Sequence, residues 1–262
     1  MEAVERFATI VQGTDAAIPL DEAAALIAAA TKDEGDVDVS RVLADLDALA
    51  QRVEPPTLDG LRTLLFRDLG FGGNGDDYYD PANSWLDDVL IRRVGIPITL
   101  AVVMLEVGRR AGVPLWGVSM PGHFLVRDKV DPDVFVDPFA RGQVIDRAGC
   151  AARFHAVQGP GSVFDDTFLE PVGTRAILTR MLANLETVAT MRADRDLLRR
   201  VLGLRVAMPE SGLVDHRKHA ASLAAEGRFV EAAELLEAFA DRDVDGSVAA
   251  RASADQLRAR LN

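Results

Sequence analysis

The sequence predicts an α+β protein. Apolar residues recur at helical spacing up to about residue 70 and again from Thr174 to the end, whereas Leu115 to Ile145 switches to short, alternating, strand-like runs. Between these regimes, Pro97 to Gly112 reads as one helix apolar on most sides. Such a helix belongs at the centre of a core, with the rest of the chain arranged around it.

The 262 residues are 48% hydrophobic, enough for one large domain or two modest ones. A formal net charge of -12 disfavours non-specific binding to nucleic acid or an anionic membrane. The single cysteine, Cys150, excludes an internal disulfide and a multi-cysteine zinc site. Glu2 and Glu5 follow Met1 where a secretory signal would be basic, and the longest apolar runs, such as Ala23 to Ala30, are too short to span a bilayer. The expectation is a cytoplasmic protein without a cofactor.

Residues 1–70 read as helices. Ile18-Pro19-Leu20 leads into an alanine-rich helix with Asp21 in the N-cap region. Asp38 and Ser40 start a second, with Val42, Leu46, Leu49 and Val53 on its apolar stripe; Pro55 and Pro56 end it. Thr57 caps a third, striped by Leu61, Leu64, Leu65 and Leu69. Phe71 to Asp80 is a glycine-rich loop without the lysine and hydroxyl of a phosphate loop. Ser84 is expected to cap the next helix, because Ser84 and Asp87 fit the capping-box spacing, and Gly95 to end it.

Pro97 suits the first position of the central helix, where its missing N–H costs nothing. Leu115 to Met120, His123 to Arg127 and Val134 to Asp137 read as strands, with Gln143 to Ile145 a further candidate. In the second run His123, Leu125 and Arg127 share one face, with Phe124 and Val126 on the other. Asp146 opens a short helix holding Cys150. From Thr174 the pattern is helical throughout, and Ala220, Ala224, Gly227, Phe229 and Ala232 have tetratricopeptide-like spacing. The resulting division is 1–70 (N-terminal helices of the core domain), 71–170 (core) and 171–262 (tetratricopeptide-like region).

The segments YYDPANSWLDDVL, RRVGIPITLAVVMLEVGRRAGVPL, PGHFLVR and VFVDPF resemble the transglutaminase-like superfamily. More closely they resemble its bacterial group named for the SirB invasion regulator, whose members carry a C-terminal tetratricopeptide-like region. The resemblance implies a papain-like core with a small antiparallel sheet and flanking helices. It also implies a site in which a cysteine opens the central helix and a histidine and an aspartate follow on adjacent strands. In this sequence Pro97 stands at the cysteine position, His123 at the histidine and Asp137 at the aspartate. The closer group resembles this chain in having the proline too.

Thiol acyl transfer needs a thiolate beside the histidine, and proline offers neither a nucleophile nor an N–H. His123 and Asp137 are therefore a retained catalytic-type pair, expected on neighbouring antiparallel strands near the start of the central helix. Thr99, two residues after Pro97, is the best substitute nucleophile, although a first-turn threonine is more readily explained by a bond to the helix backbone. Cys150 is expected to be a buried, inert thiol. His155, His216 and His219 lack metal spacing, and His216 and His219 are expected on an exposed helix face. The function expected is non-catalytic binding of a protein or peptide, with no metal, nucleic acid or membrane. A cysteine-independent hydrolase or acyltransferase using His123 and Asp137, with water or Thr99, is the alternative. The oligomeric state is left open.

Overall fold

The computed structural model describes residues 2–33, 35–243 and 246–260. The N-terminal part is helical, as the periodicity requires. Helix α1 (Glu2–Val11) packs on α2 (Leu20–Thr31), whose N-cap is Pro19 rather than Asp21; Asp21 falls in the first turn. Residues Ala23 to Ala28 of α2 are all buried, so this helix is a core element and not a half-exposed one. Asp38 caps α3 (Val39–Ala50) by accepting from the Arg41 amide at 3.1 Å. Thr57 caps α4 (Leu58–Arg62) through the Gly60 amide at 3.2 Å. The backbone then widens into a π-helical stretch, Thr63–Asp68, that keeps Leu64, Leu65 and Phe66 buried.

Strand β1 (Gly72–Gly73) follows, then α5 (Leu86–Arg92), β2 (Val94–Gly95) and the central helix α6 (Pro97–Ala111). Two boundary expectations are corrected. Ser84 does not cap α5: it closes the 3₁₀ turn Pro81–Asn83, its Oγ is buried without a partner, and Trp85 holds the N-cap position. The spacing to Asp87 was right for a capping box, but the Asp80-capped turn displaced the helix start by one residue. Gly95 does not end α5 either; Arg93 does, in the left-handed region at φ 61°. Gly95 pairs with Gly73 in the short parallel ladder β1–β2, where an added Cβ would press on Val89 and the Asn83 carbonyl.

Every residue of α6 from Pro97 to Gly108 is buried. Its C-terminal end is held by charge. Glu106 lies 2.9 Å from Arg109 and 2.7 Å from Arg110; Arg110 also meets Asp47 of α3 at 2.6 Å and pairs closely with Asp21 of α2. Gly112 closes the helix at φ 78°.

The sheet has the order β6-β5-β4-β3-β7, all antiparallel, from β3 (Leu115–Val118), β4 (Leu125–Asp128), β5 (Phe135–Asp137), β6 (Gln143–Ile145) and β7 (Pro171–Val172). Alternation sorts its faces. Phe124, Val126 and Val136 join the main core with α6, while Val118, Leu125 and Phe135 form a second cluster with Cys150 and Phe154 of α7 (Arg147–Gln158).

Helices α8 (Thr174–Met191) and α9 (Arg195–Ala207) lie in the same apolar cluster as α6, which runs from Phe7 to Met208. The last three, α10 (Leu213–Ala225), α11 (Phe229–Arg242) and α12 (Ser247–Ala259), pack consecutively around two smaller clusters of their own. Among the described residues no helix is long and apolar enough to cross a membrane.

Candidate functional site

Met120, Pro121, Gly122 and His123 form a tight turn, closed by the His123 amide donating to the Met120 carbonyl at 3.0 Å. Proline at the second position and glycine at the third, with φ 76°, match a type II turn. An added Cβ at Gly122 would also collide with Val157 of α7. His123 is therefore aimed by a turn, not by a strand. The expected strand placement is corrected by two residues, because the turn delays the ladder until Leu125.

Asp137 ends β5, and the β4–β5 pairing sets it beside the turn. His123 Nε2 lies 3.0 Å from Asp137 Oδ1. The N–H direction falls outside hydrogen-bond alignment, so the pair is a close polar contact in this geometry. Asp137 Oδ1 accepts the Ala140 amide at 3.1 Å, and Arg153 Nε of α7 approaches Oδ2 to 3.0 Å, again off the hydrogen-bond angle. Burial would push this carboxyl up. His123, the Ala140 amide and Arg153 together outweigh burial and hold it below the ordinary carboxylate range.

The link from this pair to α6 passes through Phe139. Its ring stands edge-on to His123 at 6.2 Å, its carbonyl accepts the Gly73 amide at 2.9 Å, and Gly73 pairs with Gly95, two residues before Pro97. Pro97 occupies the first position of α6 and is buried. Thr99 is fully buried, and its Oγ1 has no hydrogen-bonding partner among the described residues, neither the helix backbone nor His123. The expected hydroxyl-to-backbone bond is absent. None of the five main cavities among the described residues is lined by Pro97, Thr99, His123 or Asp137.

Cys150 is fully buried, and burial first, then Asp146 and Asp137, push its thiol up to about 12. A thiol so placed stays protonated near neutrality. His216 corrects an expectation: it is buried, not exposed. Its Nδ1 faces the Gly212 carbonyl at 3.0 Å and its ring lies 4.4 Å from that of Phe239. The neighbouring α11 covers the face that a single-helix reading leaves open. His219 is half-buried; burial, then Arg199 and Arg228, lower its pKa to about 4. Among the described residues no group of histidine, cysteine and carboxylate side chains is arranged to hold a metal ion.

Sequence reasoning missed Arg153, which adds a third polar group to the pair, and Arg180. Arg180 Nη1 donates to Ser119 Oγ and to the Met120 carbonyl, both at 2.8 Å, so it braces the turn that carries His123. No periodicity signal marks it: Thr179 and Arg180 fall in the ordinary polar gap of the α8 stripe between the buried Leu178 and Met181.

A helix-packed antiparallel sheet, a buried His-Asp pair and a proline opening the central helix are the features to set beside known proteins. Residues 20–183 match the family described as the transglutaminase-like superfamily. A UPF0162 protein of Xylella fastidiosa (strain 9a5c) is 42% identical over 195 residues, covering 69% of each chain. One of Vibrio cholerae is 29% identical over 163 residues, 61% of this chain and 60% of that one. Human F-box only protein 21 is 31% identical over 168 residues, 60% of this chain and 26% of its own length. No solved structure matches. The chain belongs to the transglutaminase-like superfamily and, within it, groups with the UPF0162 proteins.

Proposed function

We propose that this protein is a non-catalytic member of its superfamily that binds a protein or peptide, with the C-terminal tetratricopeptide-like helices as part of the binding architecture. The observation that carries the reading is Pro97 at the first position of α6, where the superfamily's nucleophile would stand. Burial supports it: Thr99, the one hydroxyl proposed as a substitute, is fully buried, and Asp137 is 1% exposed. A substrate carbonyl has no path to that hydroxyl without local opening. The pair His123–Asp137 then fixes the turn and strand end against α7 through Arg153 instead of activating a nucleophile. Tyr78 and Tyr79, 37% and 42% exposed next to Phe139, offer the kind of aromatic surface that interfaces favour. That about a quarter of F-box only protein 21 is similar to this chain is in keeping with a domain used as a part of larger proteins.

The test has two arms. Wild-type protein is expected to show no ester or glutamine-amide hydrolysis above that of His123→Ala, while selection from a displayed peptide library yields sequences that bind it saturably. Hydrolysis that His123→Ala abolishes would establish the hydrolase alternative instead.

A further inference from the structure

Arg180 is a half-buried cation whose charge is met by no carboxylate among the described residues. This contrasts with Arg110, Arg200 and Arg205, each of which reaches an acidic side chain. Only one of its three nitrogens is used. Nη1 takes Ser119 Oγ and the Met120 carbonyl, and that carbonyl also accepts the His123 amide. The guanidinium lies over the Phe124 ring, 5.7 Å from its centroid, which fixes its plane. Nε and Nη2 have no partner among the described residues, and neither is among the fully buried unpaired atoms, so both keep access to solvent. These two nitrogens form one edge of the guanidinium, a fork of parallel N–H groups whose spacing fits the two oxygens of a carboxylate.

Tyr78 completes the surroundings. Its ring meets Phe139 edge-on at 6.0 Å, Phe139 meets His123 in turn, and the phenol is close enough to Arg180 to interact with it electrostatically. Burial lowers the Arg180 pKa and raises that of Tyr78, so both groups are partly withdrawn from water and the phenol stays a neutral donor. The field in this region selects among anions. Asp77, next in sequence to Tyr78, is paired with Arg192 at 3.2 Å, and the whole chain carries -12. A single fork in such a field suits a monoanion better than a phosphate dianion or a polyanion.

We propose that the open edge of Arg180, flanked by Tyr78 and the His123 turn, is a receptor for a carboxylate group of a bound peptide. This rests on the peptide-binding reading above and names the subsite. The carboxylate is either a chain terminus or an acidic side chain; the partly exposed Tyr78 ring beside the guanidinium supplies an apolar flank for the adjoining residue, while the buried Phe124 ring only supports the guanidinium from beneath.

The experiment is an NMR titration of the full chain, followed at the Arg180 Nε–H and the His123 amide. Three probes separate the sources: N-acetylglycylglycine (terminal carboxylate), N-acetylaspartate α-methylamide (side-chain carboxylate) and N-acetylglycylglycinamide (neither). Saturable shifts with at least one carboxylate, and none with the amide, are expected, and the tighter arm identifies the source. Arg180→Gln should weaken the binding about ten-fold or more, and Arg180→Lys, which keeps the charge but loses the fork, by less. Arg180 also braces the turn, so Tyr78→Phe provides a variant that removes only the hydroxyl; a weaker but measurable carboxylate affinity is expected. Absence of saturable shifts in wild-type protein into the millimolar range, equal shifts with the amide, or tighter binding of inorganic phosphate would each overturn the proposal. None of these outcomes touches the library selection, so the subsite can fail while peptide binding stands.

Discussion

Thr99 sits in the first turn of α6 with its hydroxyl buried and unpaired. An unsatisfied buried hydroxyl costs about 1–3 kcal/mol, and replacing it by an apolar group of the same shape removes that cost. Thr99→Val is therefore expected to raise stability by about 1 kcal/mol in denaturant unfolding and to leave peptide binding unchanged. Loss of a defined activity in a stabilised Thr99→Val protein would identify the hydroxyl as a working nucleophile. Asp137 makes a pH prediction. Its folded pKa lies below the ordinary value of 3.8, so its stabilising contribution is complete above 3.8 and is lost as pH falls below it through the folded value. Asp137→Asn should flatten that acid limb of a stability–pH curve; an unchanged limb would mean that His123 and Arg153 do not stabilise the carboxylate. These residues show what a sequence can reveal of a site. His123 and Asp137 could be named because spacing and motif mark them. Arg153, Arg180 and the Ala140 amide could not be tied to them, since each arrives from another element and only the folded sheet brings them within reach.

At the scale of elements, period was the reliable guide and boundaries were not. The buried run of α6 follows from its all-round apolar pattern, whereas α4 widens into a π-helical stretch that no periodicity forecasts. The C-terminal hairpin separates two kinds of alanine. Ala232 is 0% exposed between α10 and α11, while Ala224 borders an open groove of about 400 Å³ with Ala220, Ala221 and Leu257. Small-residue spacing alone makes both look like tight contacts; only the groove distinguishes them. Ala232→Leu should overpack and lose about 1–3 kcal/mol, and Ala224→Leu should be tolerated by filling the groove. Equal melting temperatures for the two variants would refute that assignment. His219 packs on Gly203 of α9, with Cε1 3.6 Å from where a Cβ would sit. Its pKa of about 4 lies below the ordinary 6.5, so the unfolded chain takes up the proton first. Stability should decline as pH falls from 6.5 towards 4 and then level off, by on the order of 2 kcal/mol. His219→Gln should remove most of that slope.

The described residues gather into one large apolar cluster and three small ones, two of them confined to the C-terminal helices, and this division was the least legible feature of the sequence. Pro209, Ser211 and Gly212 mark a turn between α9 and α10, but helical period resumes beyond it unchanged, so nothing in the pattern tells that α8 and α9 share the α6 core and that α10 to α12 do not. Ion pairs run along the seam between α8 and α9 on one side and α10 on the other. Arg205 pairs with Asp215 at 2.7 Å, Lys218 with Glu186 at 2.5 Å and Arg199 with Glu226 at 2.9 Å, and His219 lies against Gly203. Partly exposed ion pairs of this kind each contribute little, whereas the apolar cluster from Phe7 to Met208 holds the residues whose burial drives folding. A chain ending at Ser211 should therefore fold, with the far-ultraviolet signal of its own helices, a cooperative melt and Cys150 still protected from alkylation. Its melting temperature should fall by several degrees, since the α9 face loses its cover. The carboxylate titration at Arg180 should be unchanged, because every group of that subsite lies before residue 211. A truncated chain without a cooperative melt, or with Cys150 freely alkylated, would show that α10 to α12 belong to the same folding unit as α6, and that the seam carries more of the stability than its partly exposed ion pairs account for.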